Sequence, residues 1–394
     1  MLLHWIWYAM LPNLTLRQKL LLLEQTPDPE GLYRTEKFSH IPEISQEMEE
    51  ALQNKDLTNS RKILAECKRL QIGILTMQDA GYPRRLRNIS DPPLVLYYKG
   101  YLPDFEEQPA IGIVGTRKAT AYGMHHAAEM ARQITACGGL VISGGAAGID
   151  TGALKGALEA GGACVAVLGC GADVVYPREN RMLFQKIEEN GCIISEYPPG
   201  TKPKPWQFPE RNRIISGLAN GVLVVEAPKS SGALITAKDA FDQGREVFAV
   251  PGNIDNPTCE GSNGLLQEYA AAVMSGWDVL REYEGVYPCV QRRDVRSASP
   301  EPEMRSEILN AEENDKKGID NSDVDAYIDR EQLAKDLDPL SRKLVENLGV
   351  EPIPVDELIA RVEQPPEQVL GTLTMLALTG VVENHPGRLV SLKR

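Results

Sequence analysis

Between Gly112 and Asp150 one grammar is used twice: a short apolar run, a glycine-rich turn, then a helix-forming segment. The first turn reads Gly112-Ile113-Val114-Gly115-Thr116-Arg117 and the second Ser143-Gly144-Gly145-Ala146-Ala147-Gly148-Ile149-Asp150. The grammar continues downstream. Apolar runs lie at 110–114, 140–143, 164–168, 192–195, 222–225 and 247–250, and helix-forming stretches at 122–136, 151–160, 178–189, 211–218 and 233–243. Short apolar runs bounded by glycine and alternating with amphipathic helices predict an α/β fold, a mainly parallel sheet covered on both faces. Ligands of such folds sit at the carboxyl ends of the strands. Every glycine-rich or charged motif of this stretch falls at such an end.

The motifs themselves point to a phosphate-bearing ligand. Glycines where a strand meets a helix let backbone N–H groups approach an anion, and the helix N-terminus adds partial positive charge. Gly115, Thr116 and Arg117 add a guanidinium fork to that geometry. Ser143, Gly144 and Gly145 would form a second N–H concavity, with Asp150 in the opening turn of the next helix, either stabilising its dipole or meeting a nucleotide hydroxyl or base. A dinucleotide fingerprint is not satisfied, because the third glycine of G-x-G-x-x-G is missing, and no G-K-[ST] completes a Walker loop. One segment interleaves cations with aromatics: Lys202, Lys204, Trp206, Phe208, Arg211, Asn212 and Arg213. A groove for single-stranded nucleic acid needs that combination, charge for the backbone and rings for the bases. Arg178, in Tyr176-Pro177-Arg178-Glu179-Asn180, is a candidate for a further phosphate contact. Each motif also has a structural reading: a tight turn with a surface arginine, a helix start packed by Phe208, a proline at a helix start. Glu196 and Glu226, at further strand ends, would suit a paired acid and base, but no histidine or nucleophile accompanies them. His125 and His126 are adjacent on a helix and do not share a face, so a metal site is not expected there.

The bulk numbers, taken alone, oppose a nucleic-acid reading. The 394 residues carry a formal net charge of −13, and phosphate binding needs basic surface. The acidic residues cluster at 43–50 and 294–338, however, and binding depends on the local field. Seven scattered cysteines include no C-x-x-C pair; neither a disulfide framework nor zinc is expected, and a reducing cytoplasm fits. Residues 1–12 are apolar, but too short to span a bilayer and without a basic leader; they are expected to form a helix burying its Leu and Trp side chains. Residues 1–100 look mostly helical, with helical spacing at 14–23, 44–52 and 57–70. Residues 291–333 form an acidic, solvated linker. From 334 to 394 three helices, at 340–348, 355–362 and 366–379, and a terminal hairpin describe a winged helix. Its third helix, which in that fold normally enters a DNA groove, has Glu363, Glu367 and Glu383 near it and only Arg361 as a nearby cation, so contact with protein is as good a reading as contact with DNA.

Taken in order, these motifs resemble the DNA-processing protein A family (DprA/Smf). The stretches that carry the resemblance are 81–86 (Gly-Tyr-Pro-Arg-Arg-Leu), 115–117, 143–150, 176–180, 195–200 (Ser-Glu-Tyr-Pro-Pro-Gly), 208–215 (Phe-Pro-Glu-Arg-Asn-Arg-Ile-Ile), 231–236 (Ser-Gly-Ala-Leu-Ile-Thr) and 250–253 (Val-Pro-Gly-Asn). The resemblance implies a Rossmann-like core at 101–290, a helical N-terminal domain at 1–100 of the SAM or helix-hairpin-helix type, a C-terminal winged helix and homodimerisation through the core. It implies a non-enzymatic protein without a cofactor that binds and protects single-stranded DNA and loads a RecA-type recombinase during natural transformation. Arg117 would then hold the DNA backbone, and Arg178, Lys202 or Lys204, Arg211 and Arg213 would extend the track. Tyr269 stands where the family pattern usually has glycine. Two other functions remain open on the residues: a nucleotide-binding enzyme or sensor of the phosphoribohydrolase kind, using Asp150 and Glu226, and a purely protein-binding role for residues 291–394.

Overall fold

The computed structural model describes residues 1–26, 28–36, 38, 44–293, 339–348, 353–362, 364–378, 382–385 and 389–392. The chain divides into two compact units, Met1–Met304 and Arg305–Arg394.

The first unit is built on a nine-stranded sheet. Its strands are β1 (Gly73–Thr76), β2 (Val95–Gly100), β3 (Ala110–Val114), β4 (Leu140–Ser143), β5 (Cys164–Leu168), β6 (Cys192–Ser195), β7 (Gly221–Val224), β8 (Glu246–Ala249) and β9 (Ala271–Ala272). They lie in the order β1-β2-β6-β5-β4-β3-β7-β8-β9. From β6 to β9 every pairing is parallel, while β1 and β2 join antiparallel at one edge. The expected α/β sheet is present, with its six predicted strands within about one residue of their observed limits.

Two apolar layers hold the sheet, and strand alternation sorts residues between them. Ile111 and Ile113 of β3 enter one layer and Ala110 and Val114 the other. Gly112, between them, admits the helix above: a Cβ there would lie 3.2 Å from both Ile215 and Val222. The first layer is covered by α7 (Ala121–Ala136), α8 (Ile149–Glu159) and α9 (Arg181–Asn190), the second by α10 (Gln207–Leu218) and α11 (Ala233–Asp242). Helices after β3 and β7 thus leave toward opposite faces, which makes the carboxyl end of that strand pair the topological switch point.

Among the described residues up to Leu70 the regular elements are helices, as expected: α1 (Leu2–Ala9), α2 (Leu16–Gln25), α3 (Pro29–Arg34), α4 (Gln46–Gln53) and α5 (Thr58–Leu70). Helix α1 buries Trp5, Ile6, Trp7 and Tyr8, while Leu2 and Leu3 are only half-buried. The helical reading fails beyond Leu70, where β1, a one-turn helix α6 (Arg84–Arg87) and β2 follow. A strand of four residues shows no usable periodicity, and β2 gains its pairing from β6, almost a hundred residues away. Helices α12 (Glu260–Glu268) and α13 (Gly276–Leu280) complete the unit. Tyr269, where glycine was expected, has a negative φ of −153°, outside the left-handed region that favours glycine, and its ring lies tilted against Phe241 with centroids 4.6 Å apart.

The second unit contains α14 (Pro339–Asn347), α15 (Val355–Val362) and α16 (Pro366–Leu378), with β10 (Ile353–Pro354), β11 (Val382–His385) and β12 (Leu389–Leu392) paired in the order β10-β12-β11. Leu344, Leu358, Val362, Val369, Leu373 and Val390 form its core. This is the expected winged helix, with a short third strand that the sequence pattern does not reveal. The acidic stretch lies, from residue 294 onward, outside the described residues.

Candidate nucleic-acid interface

The loops following β3, β4, β5 and β6 share one rim of the sheet, and the start of α10 lies beside them. In the first loop Arg117 is exposed, and its guanidinium carbon stands 4.8 Å from the centre of the Phe208 ring. Its neighbours are scaffold. Thr116 is buried; its N–H donates to the Glu226 carbonyl at 2.7 Å, and its own carbonyl accepts from Ile149 N–H at 3.2 Å. Gly115 has no room for a side chain, since a Cβ would meet Ile149 at 2.4 Å and the Glu226 carbonyl at 2.7 Å.

The second glycine turn was expected to offer its N–H groups to a phosphate. Instead the chain closes it with its own groups. The Asp150 carboxylate, buried, accepts from Ala146 N–H at 3.2 Å and also interacts with Gly144 N–H. The turn's carbonyls are met from within as well: Gly144 by Arg211 Nη1 at 2.5 Å, Gly145 by Asn180 Nδ2 at 3.0 Å and Ala146 by the Thr151 hydroxyl at 2.8 Å. The Ser143 hydroxyl donates to the Ile113 carbonyl at 2.7 Å. Burial pushes the Asp150 carboxyl up, while the Arg211 guanidinium and the two N–H groups pull it down. Burial likewise pushes the Arg211 guanidinium down and Asp150 supports it.

Arg211 is therefore an internal cation. It is 4% exposed and also bonds the Val167 carbonyl. Arg213 is engaged on another side, donating to both oxygens of Glu196 at 2.7 and 2.8 Å and pairing with Asp91 at 3.1 Å. Asn212 donates to the Gly232 carbonyl at 3.3 Å. The expectation that Arg211 and Arg213 extend an exposed cationic track does not match these positions. Helical periodicity separates the two, since residues 211 and 213 point some 200° apart; Arg211 shares the face of Phe208 but lies beneath its ring, drawn inward by the Gly144 and Val167 carbonyls.

What the rim does expose is an aromatic and cationic surface. Tyr176 lies 5.5 Å from Phe208, ring to ring, and is 40% exposed. Trp206, 52% exposed, stands 6.2 Å from Tyr197, with Lys204 Nζ 5.9 Å from its ring. Arg178, Lys202 and Lys204 are exposed on the loops after β5 and β6. Those loops are tied together: Asp173 accepts from Gly200 N–H at 2.9 Å, and Gly171 N–H donates to Thr201 at 2.9 Å. Trp206 belongs to the segment read from the sequence as interleaving rings with cations; Tyr176 joins the surface although the sequence argument at its motif rested on Arg178. Glu196 and Glu226 do not form a pair. The first is bound to Arg213, and the second is buried against Thr120 and Thr258.

Comparison with known proteins agrees with this architecture. The family described as DNA recombination-mediator protein A matches residues 73–284. The chain belongs to that family. The DprA winged helix domain matches residues 329–388. Protein Smf of Synechocystis is 34% identical over 91% of this chain and 88% of its own length. DNA processing protein DprA of Bacillus subtilis is 41% identical over 56% of this chain and 74% of its own. Among solved structures, DprA from Streptococcus pneumoniae superposes with a TM-score of 0.63 at 34% identity, covering 72% of this chain and 98% of that one. DNA processing protein A from Helicobacter pylori, whose structure is described in terms of a unique single-stranded DNA binding mode, gives a TM-score of 0.50 at 28% identity, covering 55% of this chain and 97% of that one. Among the described residues, no helix is long and apolar enough to cross a membrane.

Proposed function

We propose that this chain is a recombination mediator that binds single-stranded DNA along the rim formed by the loops after β3, β5 and β6, without catalysing a reaction. The observation that carries the reading is the exposed Arg117 guanidinium held over Phe208, with Tyr176 beside that ring. A guanidinium meets a phosphate in a bidentate fork, and neighbouring rings accept unpaired bases irrespective of sequence. Arg178, Lys202 and Lys204 continue the charge for further phosphates. Arg211, Asn212, Ser143, Gly144 and Gly145 support the surface from within. The single-stranded DNA mode described for the Helicobacter pylori relative favours the same ligand. A nucleotide-cleaving reading gains nothing from the geometry: Asp150, Glu196 and Glu226 are each engaged with the chain's own donors. Within this reading the core pairs as a homodimer and delivers its strand to a RecA-type recombinase, and the winged helix makes protein contacts.

The test is a binding titration of intact protein with single- and double-stranded oligonucleotides across a salt series. Single strands should bind more tightly, with a slope of about 0.7 log units of affinity per log unit of salt for each phosphate neutralised. Arg117→Ala should weaken binding about tenfold and flatten that slope by roughly one phosphate. Unchanged affinity in that variant refutes the assignment of the site.

A further inference from the structure

The loop that carries Arg117 is tied down at both ends by one residue. Thr116 N–H donates to the backbone carbonyl of Glu226 at 2.7 Å. Thr120 N–H donates to its carboxylate at 2.9 Å, and the Thr120 hydroxyl lies 3.2 Å from the same oxygen, Oε2. The other oxygen, Oε1, accepts from the Thr258 hydroxyl in the loop beyond β8. Glu226 is wholly buried. It stands just past β7, beside β3, at the switch point where open α/β sheets usually take a ligand. Here the side chain occupies that place so closely that a Cβ on Gly123 would lie 1.9 Å from Oε2.

We infer that Glu226 is a positioning residue for nucleic-acid binding: it fixes the 116–120 loop from both ends and so holds the Arg117 guanidinium over Phe208. The inference rests on the reading of Arg117 given above. The role needs the length of the side chain and not its charge. The Thr258 hydroxyl has one proton and faces two acceptors, Glu226 Oε1 and Asn256 Oδ1, the latter at 2.9 Å. Glutamine would keep its oxygen on Thr120 and donate an N–H to Thr258, whose hydroxyl would then donate to Asn256. Aspartate keeps the charge but is one methylene shorter, and leaves one of the two loops untied.

The test measures binding of the full chain to a fluorescent oligothymidylate across a salt series, with the thermal midpoint of each variant read alongside. Glu226→Gln should stay within about threefold of the parent. Glu226→Asp should lose about tenfold and show the flattened salt slope of a missing phosphate contact. In the Arg117→Ala background Glu226→Asp should add less than about twofold, because the group it positions is gone. If the aspartate variant does not fold, Thr120→Val, isosteric, removes the hydroxyl that meets Glu226 Oε2 and also accepts from Gly123 N–H at 3.1 Å at the start of α7; its thermal midpoint reads the lost cap and its binding reads the coupling, weaker with Arg117 present and with no added loss without it. Parent-like binding by the folded aspartate variant, a glutamine variant weaker than the aspartate one, or a loss that persists undiminished without Arg117 overturns the inference. Should Arg117→Ala itself bind normally, the assignment of Arg117 falls and Glu226's role with it. Dependence on Arg117 without coupling to Glu226 removes the present inference alone.

Discussion

Arg117 and Arg211 carry the same charge and lie close to the same phenylalanine, yet they do different work. The first is exposed 4.8 Å from the Phe208 ring; the second is buried 6.0 Å from it, bonded to main-chain carbonyls beside Asp150. Substituting them should separate binding from stability. Arg211→Ala strips the turn carbonyls of their donor and leaves Asp150 buried without its cation, so it should cost about 3–5 kcal/mol in urea unfolding. Arg178→Ala, at an exposed position, should change stability by less than about 0.5 kcal/mol while weakening single-strand binding. A second buried cation supplies a pH signature. Lys19 is 6% exposed and donates to the Ala9 carbonyl at 2.7 Å. Burial pushes its ammonium down from 10.5 to about 8, against a smaller upward pull from Glu196. The folded value is the lower one, so the unfolded chain binds the extra proton between the two. The stability contribution is therefore complete above the unfolded value and is lost as pH falls through the folded one. Relative to Lys19→Met, the parent should gain roughly 2–3 kcal/mol between about pH 7 and about pH 10, at about 1.4 kcal/mol per pKa unit. A flat difference in urea midpoints across that range contradicts it.

At the scale of elements, the two glycine turns are one construction. Gly148 has φ +78°, and a Cβ there would lie 2.3 Å from the Thr116 carbonyl, so the second turn can press against the first only with glycine at that position. Gly148→Ala should destabilise the fold by more than about 2 kcal/mol and weaken DNA binding through displacement of the first loop, both visible in one titration and one urea series. Asn180 acts across a longer span, reaching from the turn after β5 to the Gly145 carbonyl. The strands, helices and turns here were legible because each is announced locally, by an apolar run, an amphipathic period or a glycine. The β1–β2 hairpin was not, since its strands are short and their partner β6 is distant in sequence. The rim was legible as a set of motifs but not in its division of labour. Nothing in Phe-Pro-Glu-Arg-Asn-Arg says that both arginines are taken up by the protein's own acceptors, and the carboxylate that closes the second turn looks in sequence like any helix N-terminal acid.

For the whole molecule, a net charge of −13 and a rim of exposed cations coexist because each loop contributes only one or two of them and the acid is concentrated elsewhere in the chain. Single-strand affinity should accordingly fall with salt despite the acidic total, and a chain ending at residue 293, which keeps every rim loop, should retain that affinity in the same titration. Loss of binding in a folded truncated chain would move the site to the C-terminal unit. The amino-acid pattern by itself determined the six central strands of the parallel sheet with their limits and the three helices and hairpin of the winged helix, because burial on two faces and glycine at a crossover are local demands on residue type. Only the packed tertiary structure decided which charged groups are free. Arg211, Arg213, Asp150 and Glu226 are neutralised or hydrogen-bonded by groups distant in sequence, more than a hundred residues away for Arg213 with Asp91 and Glu226 with Thr120, and desolvation of a charge is set by neighbours that only folding brings together.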